Sequence, residues 1–316
     1  MHNSIIDSGY TTERLSKENL PDLANLFAAV YGRKASEGIF EKKYDTVYTG
    51  KQYIGFIAYS KDHVAVGYYG VIPCFLKYSG ETILAAQSGD TMTHPLYRYK
   101  GLFVELSNIT FALCRSEGIR IVFGFPNQQS LHGAINKLGW KMTEKMDCFI
   151  IPVRTIPLER IAAKFFFLEG VYQKYKRSIV RKYRIPGYGI PNSVINDGFS
   201  GVNRDENYLA YKTYHKTEVL QVGQSLIWVT LNTEFIIGDM KVSSNDFDQV
   251  MAEIEKLSAK LGIKQIQFQI SPGTGLHSLF SKKYKSVPSF PVLFQDFESG
   301  LEIDKFKFTF ADIDIF

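Results

Sequence analysis

The sequence predicts a mixed α/β fold, and three observations carry that reading. Short apolar runs bounded by turn residues mark strands along the whole chain. Between them, segments with apolar residues every three or four positions mark helices. The order strand–strand–helix–strand–helix–strand occurs in the first half and returns near the end, so two α/β units in tandem are expected. At 316 residues the chain is long for one domain and comfortable for two.

In chain order, Tyr10–Leu15 reads as a strand. Ser16 suits a helix N-cap, with Glu18 and Asp22 near the positive end of a helix whose apolar stripe is Leu20, Leu23, Leu26 and Phe27. A short helix is expected over Ser36–Tyr44. Strands are expected at Tyr53–Ser60, His63–Pro73 and Glu81–His94. After a basic loop, Leu102–Glu117 has helical spacing through Leu102, Val104, Leu106, Ile109 and Leu113, and Gly118 ends it. Ile119–Phe125 is a short strand, Ser130–Leu138 a helix closed by Gly139, and Trp140–Val153 one or two strands. Pro157–Arg184 reads as a long helix or helix pair with a kink at Gly170, and Ile185–Gly201 as a linker rich in Pro, Gly and Asn. Strands at Ser225–Leu231 and Thr233–Val242 precede a helix at Ser244–Leu261. In that helix Phe247, Val250, Met251, Ile254, Leu257 and Leu261 share a face. Ile263–Ile270 is a strand, Leu276–Tyr284 a helix and Val292–Phe297 a strand; the alternating tail Phe306–Phe316 suits an edge strand. Gln265, Gln267 and Gln269 alternate, which fits the solvent side of an edge strand better than a polar binding face. The domain division expected is 1–152, a connector at 153–204, and 205–316.

Composition narrows the classes. No run of 18 apolar residues occurs, and the start lacks a basic stretch followed by an apolar core, so a cytoplasmic protein is expected. Cys74, Cys114 and Cys148 are far apart and flanked by apolar residues, which fits buried thiols. The six histidines form no metal-binding spacing, so no metal is expected. The net charge of +5 is uneven. Residues 151–190 hold nine Lys/Arg against Glu159 and Glu169, a local +7, and the rest of the chain is slightly acidic. That segment is either a solvated helix face or, over residues 154–184, a contact for a membrane surface or an anionic carrier. No base-reading motif accompanies it, so no nucleic-acid partner is expected.

The chemistry concentrates in Gly89–Trp140. A strand enters a loop with Arg98, Lys100 and Gly101, and a helix begins at Leu102. Consecutive N–H groups at the positive end of a helix form an anion site suited to a diphosphate, and Gly101 permits close approach. Read together, Arg98-Tyr-Lys-Gly101-Leu-Phe103, then Asn127, then Lys137-Leu-Gly139-Trp140 resemble the GNAT superfamily of N-acetyltransferases over roughly residues 8–152. The resemblance implies the acyl-CoA N-acyltransferase fold, with a second, degenerate copy at 205–316. It implies acetyl-CoA as cosubstrate, with Arg98, Tyr99, Lys100, Gly101, Leu102 and Phe103 on its diphosphate. Met92 and Thr93 would pair with the pantetheine, and Asn127 would bond its arm. The acceptor implied is a primary amine of a small molecule, such as an amino sugar of bacterial surface-polysaccharide biosynthesis.

Two positions depart from that pattern. Phe103 stands where the family has Gly or Ala, and the following helix has Ala134 or Ile135 where a Tyr often protonates the leaving thiolate. His132 is the nearest replacement. Loss of the amine proton needs a base or water relay, and Asp90, on the strand beside the expected reaction centre, is the first candidate. Its other reading is a strand-end residue bonding local backbone. Tyr68 and Tyr69 either line an acceptor pocket or belong to the core. The alternative function is an acyl-CoA-binding or regulatory protein without turnover. The second copy lacks Arg-x-x-Gly and has Asp246 near its helix start, so it is not expected to bind CoA.

Overall fold

The alternation of strands and helices is realised in a computed structural model that describes residues 4–5 and 9–316. In chain order the elements are β1 (Ser4–Ile5), β2 (Thr11–Arg14), α1 (Leu20–Tyr31), α2 (Ile39–Tyr44), β3 (Ile54–Tyr59), β4 (Ala65–Tyr78), β5 (Glu81–Thr93), α3 (Leu102–Ser116), β6 (Ile121–Gly124), α4 (Gln128–Leu138) and β7 (Lys141–Pro152). There follow α5 (Leu158–Lys164), α6 (Phe166–Val180), β8 (Arg184–Ile185), α7 (Ser193–Asn196), β9 (Gly201–Val202), α8 (Glu206–Tyr211), β10 (Glu218–Val222), β11 (Ser225–Leu231), β12 (Phe235–Lys241), α9 (Phe247–Leu261), β13 (Gln265–Ile270), α10 (Gly275–Ser281) and β14 (Ser286–Asp296). They group into two units, Met1–Glu144 with Pro291–Ile303, and Lys145–Phe290 with Asp304–Phe316. The chain passes between them three times, inside β7, inside β14 and after Ile303.

In the first unit the strand order is β1-β2-β3-β4-β5-β6-β14. The pairs are antiparallel except β5 with β6, which is parallel. The closing strand comes from far along the chain: Leu293 pairs with Gly124 and Asp296 with Ile121. The buried side of α3 is Leu102, Leu106, Thr110, Phe111 and Cys114, and it packs on Ile54, Val66, Tyr69, Val71, Ala86 and Val122. Val104, Ile109 and Leu113 of the expected stripe lie at its margin, only partly buried.

The second unit has the order β7-β13-β12-β11-β10-β8, parallel only between β12 and β13. The apolar face read for its main helix is realised, with Phe247, Val250, Met251, Ile254, Leu257 and Leu261 all buried and Gly262 closing the helix at φ 69°. Four expectations are corrected here. The helical segment breaks at Phe165 (φ −119°, ψ 98°), not at Gly170. The Pro/Gly-rich stretch contains β8, α7 and β9. The three glutamines lie on an interior strand, because β7 covers the far side of β13; Gln269 is buried and accepts from Ser289 Oγ, and Gln267 Nε2 donates to Cys148 Sγ at 3.3 Å. The tail adds no edge strand.

That tail fills a gap in the second sheet. β12 and β13 pair at Phe235–Ile266, Ile236–Gln267 and Ile237–Phe268, then separate. Beyond that point Ile270 bridges Thr309 instead, and Ser271 N donates to Phe308 O at 2.9 Å. Phe306, Phe308, Phe310, Ile313 and Phe316 are all buried. Gly238 admits the last ring, since a Cβ there would stand 2.2 Å from Phe316 Cζ. A buried ion cluster fastens the tail. Arg204 meets Asp239 Oδ2 at 2.5 Å, Asp312 Oδ1 at 2.8 Å and Thr309 Oγ1 at 2.7 Å, with every charged side chain fully buried. Removing one partner of such a cluster strands the remaining charges in a low-dielectric interior. Arg204→Met is therefore expected to destabilise the protein by about 3–5 kcal/mol in urea unfolding.

Candidate functional site

The site grows from a change of register between β4 and β5. Gly70 pairs with Gly89 and Tyr68 with Met92, so Asp90 and Thr91 together stand opposite Tyr69. This is a β-bulge, which bends a strand and re-aims its side chains. Asp90 takes φ 50° to make it, a region few residues other than Gly, Asn and Asp enter readily. Its carboxylate then meets two groups of α2. Lys43 Nζ lies 2.7 Å from Asp90 Oδ2, and the Tyr44 hydroxyl donates to the same oxygen at 2.9 Å. Lys43 is only 5% exposed at its side chain and Tyr44 is fully buried. Burial first, and then the Asp90 charge, push the Tyr44 phenol well above its ordinary range, so it stays a donor. The Tyr68 ring packs edge-on against Tyr44, with centroids 5.8 Å apart. The buried Tyr68 side chain folds over Gly70, where a Cβ would stand 1.9 Å from its hydroxyl.

Just ahead of the bulge, β5 loses its parallel partner. Its pairs with β6 are Ala86–Val122 and Gln87–Phe123. From Ser88 to Thr93, among the described residues, no strand lies along that side. At the root of this fork the Tyr69 hydroxyl and Ser88 Oγ are 3.1 Å apart. Met92 is buried and Thr93 half-buried at the open end.

The loop after β5 leads into α3. His94 Nδ1 accepts from Leu96 N at 3.3 Å and shapes the turn. Tyr99 (φ 64°) and Gly101 (φ 84°) then adopt left-handed conformations on either side of Lys100. Gly101 is the N-cap of α3, and no side chain caps that helix. Among the described residues, no intramolecular acceptor meets the N–H groups of 98–103. They lie at the positive end of a 15-residue helix, with Arg98, Tyr99 and Lys100 exposed. The Lys100 ammonium rests over the Tyr97 ring at 4.9 Å. Phe103 turns inward. It packs edge-on to Tyr69 and against Gly133 of α4, where a Cβ would stand 2.9 Å from its ring. Its bulk is taken up by a glycine on the next helix, and the loop stays clear of it.

Asn127 follows β6 and caps α4. Its Oδ1 accepts from Gln129 N at 2.9 Å and Ser130 N at 3.0 Å, which fixes the side chain; among the described residues no acceptor meets its amide N–H₂. His132 is exposed on α4, and among the described residues the side chains bonded to Asp90 are those of Lys43 and Tyr44. The structure therefore brings Asp90 together with Lys43, Tyr44 and Tyr68, and leaves His132 apart. Lys43 and Tyr44 escaped the sequence reading; they lie on a short helix far from Asp90 in sequence, and no local pattern links them. Among the described residues no three His, Cys, Asp or Glu side chains are grouped to hold a metal ion, and no helix is long and apolar enough to cross a membrane.

The loop geometry yields a direct expectation. Gly101→Val forces a β-branched residue into φ 84° and sets its side chain toward Glu105 Oε1, 3.6 Å from the Cβ position. The strain costs about 1–3 kcal/mol. Each hydrogen bond that the loop would give a diphosphate is worth about 1.5–3 kcal/mol. Lys100→Ala removes an exposed charge worth about 0–1 kcal/mol. Calorimetric titration with CoA should find Gly101→Val weaker than Lys100→Ala by about tenfold or more.

Comparison with known proteins agrees with this geometry. The acetyltransferase (GNAT) domain profile matches residues 11–143. The fold is similar to that of a GCN5-related N-acetyltransferase from Kribbella flavida, with TM-score 0.56 at 14% identity over 91% of this chain and 72% of that one. A GCN5-related N-acetyltransferase from Anabaena variabilis gives the same values. A candidate acetyltransferase from Pyrococcus horikoshii is similar over 98% of this chain and 96% of its own, with TM-score 0.55 at 15% identity. No curated protein sequence matches the chain.

Proposed function

Because residues 11–143 match the acetyltransferase (GNAT) domain, we propose that the protein moves an acetyl group from acetyl-CoA to a primary amine of a small molecule. One observation carries the reading: a strand freed from its parallel partner leads into a loop and helix start where, among the described residues, no side chain caps the N–H groups. Bound acetyl-CoA would supply an activated thioester. The N–H groups of Arg98, Tyr99, Lys100, Gly101, Leu102 and Phe103 would hold its diphosphate. The free edge at Met92 and Thr93 would pair with the pantetheine, and the Asn127 amide would donate to the same arm.

Asp90 is the group proposed to receive the amine. Its Oδ2 is occupied by Lys43 and Tyr44, which leaves Oδ1 for the acceptor. Those two contacts fix the orientation of the carboxylate. The role that fits is therefore to hold and orient the amine through a hydrogen bond while its proton passes to water. His132, exposed on α4, is proposed to serve the leaving thiolate. An amino sugar of surface-polysaccharide biosynthesis is one acceptor of the required class, and the basic residues of 154–184 would suit one borne on an anionic carrier. A second reading, an acyl-CoA-binding protein without turnover, draws on the neutralised Asp90 and the absence of a tyrosine at Ala134 and Ile135.

The order of elements in the second unit also supports a proposed origin as a degenerate copy of the first. Antiparallel strands, a helix, a parallel strand and a short helix follow in the same sequence. Its fork is filled by the tail, so no donor is proposed there.

Acetyl-CoA at a hundred times its dissociation constant should stabilise the native protein by about 2.7 kcal/mol, seen as a rise in melting temperature. No shift at saturating ligand removes the donor assignment. Asp90→Asn should leave CoA affinity within about twofold and lower kcat/KM by about tenfold or more, as loss of a charged hydrogen bond implies. Release of CoA thiol against a panel of amines decides between transfer and binding alone.

A further inference from the structure

The outer face of α5 and α6 is built unlike a solvated helix. On the inner side, the Tyr172 hydroxyl donates to Leu261 O at 2.9 Å and that of Tyr175 to Lys260 O at 2.8 Å, while Ile179, Val180 and Tyr183 join the core of the second unit. A helix held this way normally turns polar residues to water. Here Phe167 is 72% exposed, Val171 65%, Ile156 67% and Phe165 49%. Phe167, Val171 and Lys174 follow at helical spacing, and the Phe165 and Phe167 rings touch at the break between the helices, with centroids 5.9 Å apart. Exposed along the same segment are Arg154, Arg160, Lys164, Lys174, Arg177 and Arg181. Glu169 is the one exposed acid described between residues 151 and 190; Glu159 is half-buried.

We propose that this face docks on a bilayer containing anionic lipid, with Phe165, Phe167 and Val171 entering the interface and the surrounding cations meeting the head groups. Charge complementarity selects the occupant. A second copy meeting the same face by twofold symmetry would set two +7 segments against each other. A neutral surface would leave the cations unanswered. Aromatic and aliphatic side chains mixed with Lys and Arg satisfy both parts of an anionic bilayer surface, its apolar boundary and its charge. The proposal is independent of acetyl transfer and stands or falls separately.

The test is co-sedimentation of the full chain with phosphatidylcholine vesicles, with and without phosphatidylglycerol. Binding is expected only with phosphatidylglycerol, weakening as salt rises. Phe165→Ser combined with Phe167→Ser changes exposed side chains and should melt like the wild type yet bind about tenfold more weakly. Phe167→Trp keeps the bulk, and its emission should move to the blue on phosphatidylglycerol vesicles. Equal binding to neutral vesicles, no binding to either, or an unshifted tryptophan overturns the proposal. So does a serine variant that binds as the wild type, which would reduce the attraction to charge alone. Self-association in sedimentation velocity that the serine pair abolishes, without vesicle binding, would assign the face to a second copy. Equally tight binding to polyglutamate, unaffected by the serine pair, would assign it to an acidic polypeptide.

Discussion

Two parallel strands that begin paired and then part leave backbone N–H and C=O groups facing a gap. Such groups cannot stay buried without partners, because each unpaired one costs free energy comparable to a lost hydrogen bond. The arrangement occurs twice, after Gln87–Phe123 in the first unit and after Ile237–Phe268 in the second. In the second it is answered from within: Thr309 bridges Ile270, Phe316 lies on Gly238, and Arg204 ties Asp312 to Asp239. In the first, no strand or tail of the described chain pairs along β5 beyond Ser88. The same device thus stands once filled by the protein itself and once, in the function proposed, filled by its cosubstrate.

The neighbourhood of Asp90 shows how the first fork gains a charged group at its mouth. The bulge places Asp90 in a left-handed conformation at a local energetic cost, and the Lys43 ion pair and Tyr44 hydrogen bond hold it there. Lys43 is buried and needs a counter-charge; Asp90 needs donors to keep its orientation. Each explains the other. The packing of Tyr68 on Tyr44 joins this pair to the interior of β4.

Much of this was legible in the chain, and what was not has physical causes. Helix stops showed through because caps are local: Gly118 and Gly139, expected to end their helices, both take left-handed conformations there. The loop 98–103 was legible for the same reason. The bulge at Asp90 was not, since register depends on which residues of β4 and β5 face each other, and neighbouring sequence does not record that. Lys43 and Asp90 meet only through tertiary packing. The glutamines of β13 alternate like an edge strand, and only the arrival of β7 makes that strand interior. The tail alternates phenylalanines as a strand would, yet those rings fill space that exists because β12 and β13 part. Length and alternation describe a segment; they do not say whether a sheet has an edge left for it or a hole.

The return of Pro291–Ile303 to the first unit bears on how the chain comes to be folded. β6 pairs on one side with β5, which precedes it closely, and on the other with β14, near the end of the chain. A growing chain can therefore assemble β1 to β6 and α1 to α4 while one edge of β6 waits for a strand not yet made. Closing that contact spans nearly the whole second unit, and long-range closure of this kind slows folding. Until it closes, Ile121–Gly124 is an unpaired apolar edge, the feature through which strands recruit neighbours and aggregate. The two units are thus interleaved in time as well as in sequence, and a chain cut between them would leave the first permanently unfinished.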